Sequence, residues 1–181
     1  AFGRSDDITH GLTQGLTDEP YLGDYLAIAD ANVSQFLATG DTIALRRASR
    51  LLRRAEILFA NDLGWSASLA RRTPVVPGTK VPEMLDTPGE SLTAKAIRLN
   101  NAVGRLMRGS GAVPSPNPVQ TATELVMRYG AFMHELGVSA AGYFAAAMPV
   151  LDDGHAFAVG PKAVERATAL FRLIPTRLVA P

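Results

Sequence analysis

The chain has no cysteine among its 181 residues, which excludes disulfides, thiolate metal sites and a cysteine nucleophile. Histidine is nearly as scarce. His10, His134 and His155 share no spacing that would set two imidazoles on one helical face, so no metal site is expected. Aromatic residues make up 7% of the chain and the hydrophobic set 47%, so a core must be built mainly from Ala, Leu, Val and Ile. No run of 18 uncharged apolar residues occurs; the nearest approach, Leu136 to Leu151, is sixteen residues interrupted by Gly and Pro. A membrane-spanning helix needs about 20, so this stretch reads as a buried helix and no direct membrane span is expected. Ala1 stands where an initiator methionine would be, as removal of Met or cleavage of a targeting segment would leave it.

Charge of either sign is modest overall and uneven along the chain. The net value is +1, yet residues 1 to 41 hold seven acidic residues against Arg4, a balance of −6, while residues 42 to 72 hold seven Arg against Glu56 and Asp62, a balance of +5. Such a split favours electrostatic docking between segments or with a partner. Lysine is rare, three against fifteen arginines. That preference fits forked, bidentate contacts to carboxylate or phosphate, and equally a GC-rich coding sequence.

What the chain does contain is a phrase that occurs twice. Phe59-Ala60-Asn61-Asp62-Leu63-Gly64-Trp65-Ser66-Ala67 recurs seventy-three residues later as Phe132-Met133-His134-Glu135-Leu136-Gly137-Val138-Ser139-Ala140. The spacing is close to twice a unit of about 36 residues, the size of a two-helix repeat. A Gly at such a place can end a helix in the left-handed conformation, with Trp65 or Val138 packing back onto the last turn. Ser66 or Ser139 can then cap the next helix. Each phrase therefore predicts a helix, a corner and a second helix.

Around these corners the pattern is helical. Residues 1–17 are polar and Gly-bearing and read as an extended N-terminal arm, followed by a single all-α helical-hairpin domain over 18–181. A first helix follows Asp18, with Pro20 in its opening turn and Leu22, Leu26, Ala29, Val33 and Leu37 along one face, and Gly40 stops it. Asp41 caps a second helix to about Asp62, and a short third runs from Ser66 to Arg72. A Pro-rich connection over 73–87 precedes Thr87-Pro88-Gly89-Glu90, a capping-box pattern opening a helix with Leu92, Ala96, Leu99, Val103 and Leu106 as its stripe. Asn117-Pro118-Val119-Gln120 repeats that start for a helix to Leu136; further helices are expected from Ser139 to about Met148, before Pro149, and from Gly160-Pro161 to about Leu173. No alternating strand pattern competes, so the fold class read here is all-α, with stacked antiparallel hairpins joined by Pro-rich loops.

The strongest chemical signal lies on the second helix. Arg46, Arg47, Arg50, Arg53 and Arg54 fall within an arc of about 120° when successive residues are turned by about 100°. Leu45, Ala48, Leu51, Leu52, Ala55 and Phe59 take the opposite side. Such a face suits nucleic-acid phosphate, anionic lipid or an acidic protein surface, or is neutralised by the acidic first helix. With a net charge of only +1, a merely solvated or neutralised face, or protein docking, is preferred over nucleic acid. His134-Glu135, with Tyr143, is the one acid–base candidate, but it lacks a nucleophile or metal, so a partly buried His with a local hydrogen bond is expected. Asp152-Asp153-Gly154-His155 reads as a turn, since calcium-loop spacing is missing. Gly109 to Gly111 lacks the Lys-Ser/Thr ending of a phosphate loop. No catalytic residue, cofactor site or metal site is assigned.

Met133-His134-Glu135-Leu136-Gly137-Val138, with a helix before it and Ser139 to Met148 after it, resembles the junction between successive pentatricopeptide units; Phe59 to Ala67 is a weaker copy. The Pro-rich stretch after Arg72 departs from that pattern. The resemblance implies a short α-solenoid, and the family usually binds single-stranded RNA through polar side chains at set places. Those places fall here near Ala141 and Ala146, which cannot hydrogen-bond a base. In size and organisation the chain is also similar to pentatricopeptide-like subunits on the catalytic head of euglenozoan mitochondrial ATP synthase. These resemblances imply a non-enzymatic structural subunit of a larger protein complex, in the mitochondrion and on the F1 region. The alternative is an RNA-binding helical-repeat protein using the Arg46 to Arg54 face.

Overall fold

The structure, a computed structural model, describes residues 11–12, 15–16, 21–61, 64–68, 83–86, 89–109 and 117–152. Within the expected arm, β1 (Gly11–Leu12) and β2 (Gly15–Leu16) pair as a two-residue antiparallel ladder. Helix α1 (Leu22–Thr39) begins later than its sequence suggests, because Tyr21 is extended and bridges to Ser68. It stops at Gly40, whose φ of 72° is left-handed and whose N–H donates to Phe36 O at 2.7 Å. Leu22, Leu26, Ala29 and Val33 of the expected stripe are buried, and Leu37 is exposed.

Helix α2 (Thr42–Phe59) starts as expected, with Asp41 Oδ1 accepting the N–H of Ile43 at 2.8 Å, a cap of about 1 kcal/mol. It then ends before the corner. The chain turns into an antiparallel hairpin of β3 (Ala60–Asn61) and β4 (Gly64–Trp65). The expected helix from Ser66 is absent over 66–68, where Ala67 is a bend and Ser68 bridges to Tyr21; residues 69–72 lie outside the described ones. Three contacts account for this. Ser66 donates both its N–H and its Oγ hydroxyl to Phe59 O, at 3.0 and 3.3 Å. Ala67 O accepts the N–H of Leu22 at 2.8 Å, satisfying a donor at the start of α1 that helical bonding leaves open. Trp65, 4% exposed, is drawn into the core.

Helix α3 (Leu92–Gly109) does not open on the expected Thr87 to Glu90 capping box, of which Thr87 and Pro88 lie outside the described residues. Its cap is Ser91, whose Oγ accepts the N–H of Ala94 at 3.2 Å, and Glu83 O accepts both the N–H and the hydroxyl of Thr93. Helix α4 (Pro118–Leu136) has the expected bounds, with Asn117 Oδ1 accepting from Val119 N. Gln120 does not close a capping box; its amide donates to Glu124 Oε1 at 2.9 Å. Gly137, at φ 55°, begins a 3-10 turn over Gly137–Ala140 that leads into α5 (Ala141–Leu151). Pro149 does not stop α5. Its missing N–H falls in the last turn, and its carbonyl accepts Arg105 Nη2 at 2.6 Å. The helix expected from Gly160 to Leu173 lies outside the described residues.

The two copies of the repeated phrase therefore take different conformations. The second is helix, 3-10 turn and helix, while the first is helix and β-hairpin. Val138, expected to pack back on its helix, is 88% exposed, whereas its counterpart Trp65 is buried. An indole buried against the core outweighs a local preference for a helical corner.

The described residues are mostly helical, and one apolar core takes side chains from all five helices among them. Helix α3 lies at its centre, packed against α1, α2, α4 and α5, and Ala96, Ile97, Leu99, Asn100 and Val103 are all buried. Close approach to α4 depends on Gly104, where a Cβ would stand 2.5 Å from Val119 Cγ2 and 2.8 Å from Val119 N. Across the α1–α2 pair, the Tyr25 and Phe59 rings meet edge to face at 5.7 Å.

Candidate interaction surface

Helix α2 is anchored by one side and offers the other. Ala44, Leu45, Ala48, Leu51, Leu52, Ala55 and Phe59 are buried. On the outer side Arg46, Arg47, Arg50 and Arg53 are exposed and Arg54 is half-buried, as the helical spacing predicts. The same arc of about 120° also contains Ile43 and Ile57, one near each end of the helix. They are 56% and 63% exposed. Sequence reading passed over these two, though their spacing of fourteen residues, close to four turns, places them on the arginine face.

The acidic first helix points part of its charge elsewhere. Asp30 of α1 accepts Arg98 Nη1 and Nη2 at 3.3 and 3.2 Å and lies 3.6 Å from Lys95 Nζ, both from α3. Burial alone would raise the Asp30 carboxyl, but the Arg98 hydrogen bonds and charge, with Lys95, hold it below the usual range. Arg98 also takes Glu90, with Nε at 3.0 Å and Nη2 at 3.0 Å. The Glu90 hydrogen bonds, against burial and with help from Asp30, push the guanidinium above its ordinary value. At the edge of the α2 face, burial raises Glu56, Glu124 adds to the rise, and the Thr121 hydroxyl at 3.4 Å and the Arg53 charge oppose it.

Helix α5 carries a second outward surface. It has no charged side chain, and only Tyr143, Ala146 and Ala147 are buried. Phe144, Met148 and Leu151 are exposed, as is Val138 in the turn before it. The expectation of a wholly buried helix over Leu136 to Leu151 is corrected accordingly; α3 and α4 cover only one side of α5.

The acid–base candidates are not gathered. His134 and Glu135 are exposed, contrary to the expected partly buried histidine, while Tyr143 is buried and its hydroxyl donates to Val126 O at 2.6 Å. Ala141 is exposed and Ala146 buried. Asp153, Gly154 and His155 lie outside the described residues, as do Ser110 and Gly111. Among the described residues no three His, Asp or Glu side chains cluster as a metal site would require, and no helix is long and apolar enough to cross a membrane.

Fold and surface together define an all-α protein with one arginine-rich helix face and one apolar helix face. No protein-family model, curated protein or solved structure matches the chain.

Proposed function

We propose that this chain is a non-enzymatic structural subunit that docks on a larger protein assembly through the outward face of α2. The observation that carries this reading is the exposure of Arg46, Arg47, Arg50 and Arg53 on one side of a helix whose other side is buried in the core. A helix held so firmly needs no further ordering of its backbone on docking, and forked guanidinium contacts suit carboxylates on a partner.

The pairs α1–α2 and α4–α5 serve as the two helical hairpins of the scaffold. The resemblance in size and organisation supports the F1 head of a mitochondrial ATP synthase as that assembly, and with it a mitochondrial location. A net charge of +1 speaks against nucleic acid as the main partner.

Sizing of the native protein in its source extract tests the reading. The chain is expected in a stable complex far above its own 19.2 kDa, and a lone monomer with no protein partner would overturn it.

A further inference from the structure

Two observations on α2 have different chemistry and share one stripe. Exposed guanidinium groups occupy the middle, at Arg46, Arg47, Arg50 and Arg53, and exposed isoleucines occupy the ends, at Ile43 and Ile57. Ile43 and Ile57 are about 21 Å apart along the axis at 1.5 Å per residue. A surface that only attracted a polyanion would have no use for β-branched side chains set in water at both ends. A phosphate backbone offers them nothing to bury against, whereas protein interfaces combine apolar anchors with arginine.

We infer that the α2 face binds an acidic amphipathic helix of a partner protein, with carboxylates against the arginines and one apolar side chain against each of Ile43 and Ile57. This rests on the docking function proposed above and names the chemistry of that partner. Charge complementarity supplies the sign. A helix is the occupant whose own side chains recur every three or four residues and can meet this straight stripe from one end to the other. The apolar ends fix register, which charge alone leaves free to slide.

The test uses the full chain and a synthetic helical peptide carrying two leucines fourteen residues apart, with five glutamates on the same face between them. A matched peptide has serine for both leucines, and a uridine oligomer stands for nucleic acid. The leucine peptide is expected to bind, to lose about tenfold in affinity when its leucines are removed, and to lose a similar factor with the Ile43→Ser/Ile57→Ser chain. Arg46→Glu/Arg47→Glu should remove binding. Both variants change exposed side chains, so their thermal unfolding should match the parent chain and separate lost binding from lost fold.

Equal binding of the leucine and serine peptides, tighter binding of the uridine oligomer, or no peptide binding at all would each overturn the inference. In the source extract, a large complex that still takes up the Ile43→Ser/Ile57→Ser chain would overturn this inference and leave the docking function standing. A monomeric native chain would instead overturn the docking function itself.

Discussion

The carboxylate of Asp86 joins the beginnings of two helices, and Gly142 is the residue that lets it do so. Asp86 Oδ2 accepts the N–H of Gly142 at 2.6 Å and Oδ1 accepts the N–H of Ser91 at 2.9 Å, while Asp86 N–H donates to Ser139 O. A Cβ on Gly142 would stand 2.7 Å from Oδ1. Gly to Ala within a helix ordinarily stabilises by about 1 kcal/mol. Here the sign should reverse: Gly142→Ala expels the carboxylate from both helix starts and costs about 1–3 kcal/mol. Urea unfolding of Gly142→Ala beside Asp86→Ala checks this, and the double variant should be little worse than either single one.

Gly104 makes a comparable demand by contact alone. Gly104→Ala would drive Val119 and the start of α4 away from α3, for a loss of about 1–3 kcal/mol. Gly109 has nothing near the position of its Cβ, so Gly109→Ala should be neutral or stabilising by up to about 1 kcal/mol. Denaturation midpoints of the two variants should therefore move in opposite directions, or only the first should move.

The two copies of the repeated phrase should respond unequally to truncation. Trp65→Ala removes a buried indole, with an expected loss of about 3–5 kcal/mol. Val138→Ala changes an exposed side chain and should stay within about 0.5 kcal/mol. Equal losses would mean that both corners bury their apolar residue alike.

Stability should fall at both ends of the pH scale for named reasons. Asp30 has its pKa lowered in the folded chain, so its contribution is present above the unfolded carboxyl value, about 4, and is lost as pH falls through the lower folded value. Asp30→Asn should flatten that acid limb, modestly, because the network is partly exposed. Tyr129 moves the other way. Burial pushes its phenol up to about 12, against the Arg128 charge and a Trp65 backbone hydrogen bond. Its contribution is complete below the unfolded value, about 10, and is lost as pH rises towards 12. Tyr129→Phe should remove that part of the alkaline transition when unfolding is followed by circular dichroism.

Where a local signal met no tertiary competitor, the sequence was legible. Asp41 and Asn117 cap the helices they were read to cap, Gly40 stops α1, and α4 runs from Pro118 to Leu136. The arginine face was legible for the same reason, since helical spacing alone decides which side chains share a side. Ile43 and Ile57 carried the same spacing but were passed over, because an isoleucine in a sequence does not reveal whether a neighbour will cover it. Ser66 was misread because Phe59 O, which it bonds, and the Tyr21–Ser68 bridge that holds the segment after it are known only once α1 and α2 have folded together.

Sequence by itself determined that this is a cysteine-free, helix-dominated chain with an acidic start, a basic second helix and one arginine-lined side to that helix. Those properties follow from composition and from a period of about 3.6 residues, which are local. Tertiary structure alone decided that the repeated phrase becomes a hairpin once and a helical corner once. It likewise placed α3 at the centre, sent Asp30 to Arg98 rather than to the arginine face, and left Ile43 and Ile57 in water. Burial and long-range hydrogen bonding settle those outcomes, and each depends on residues far away in the chain.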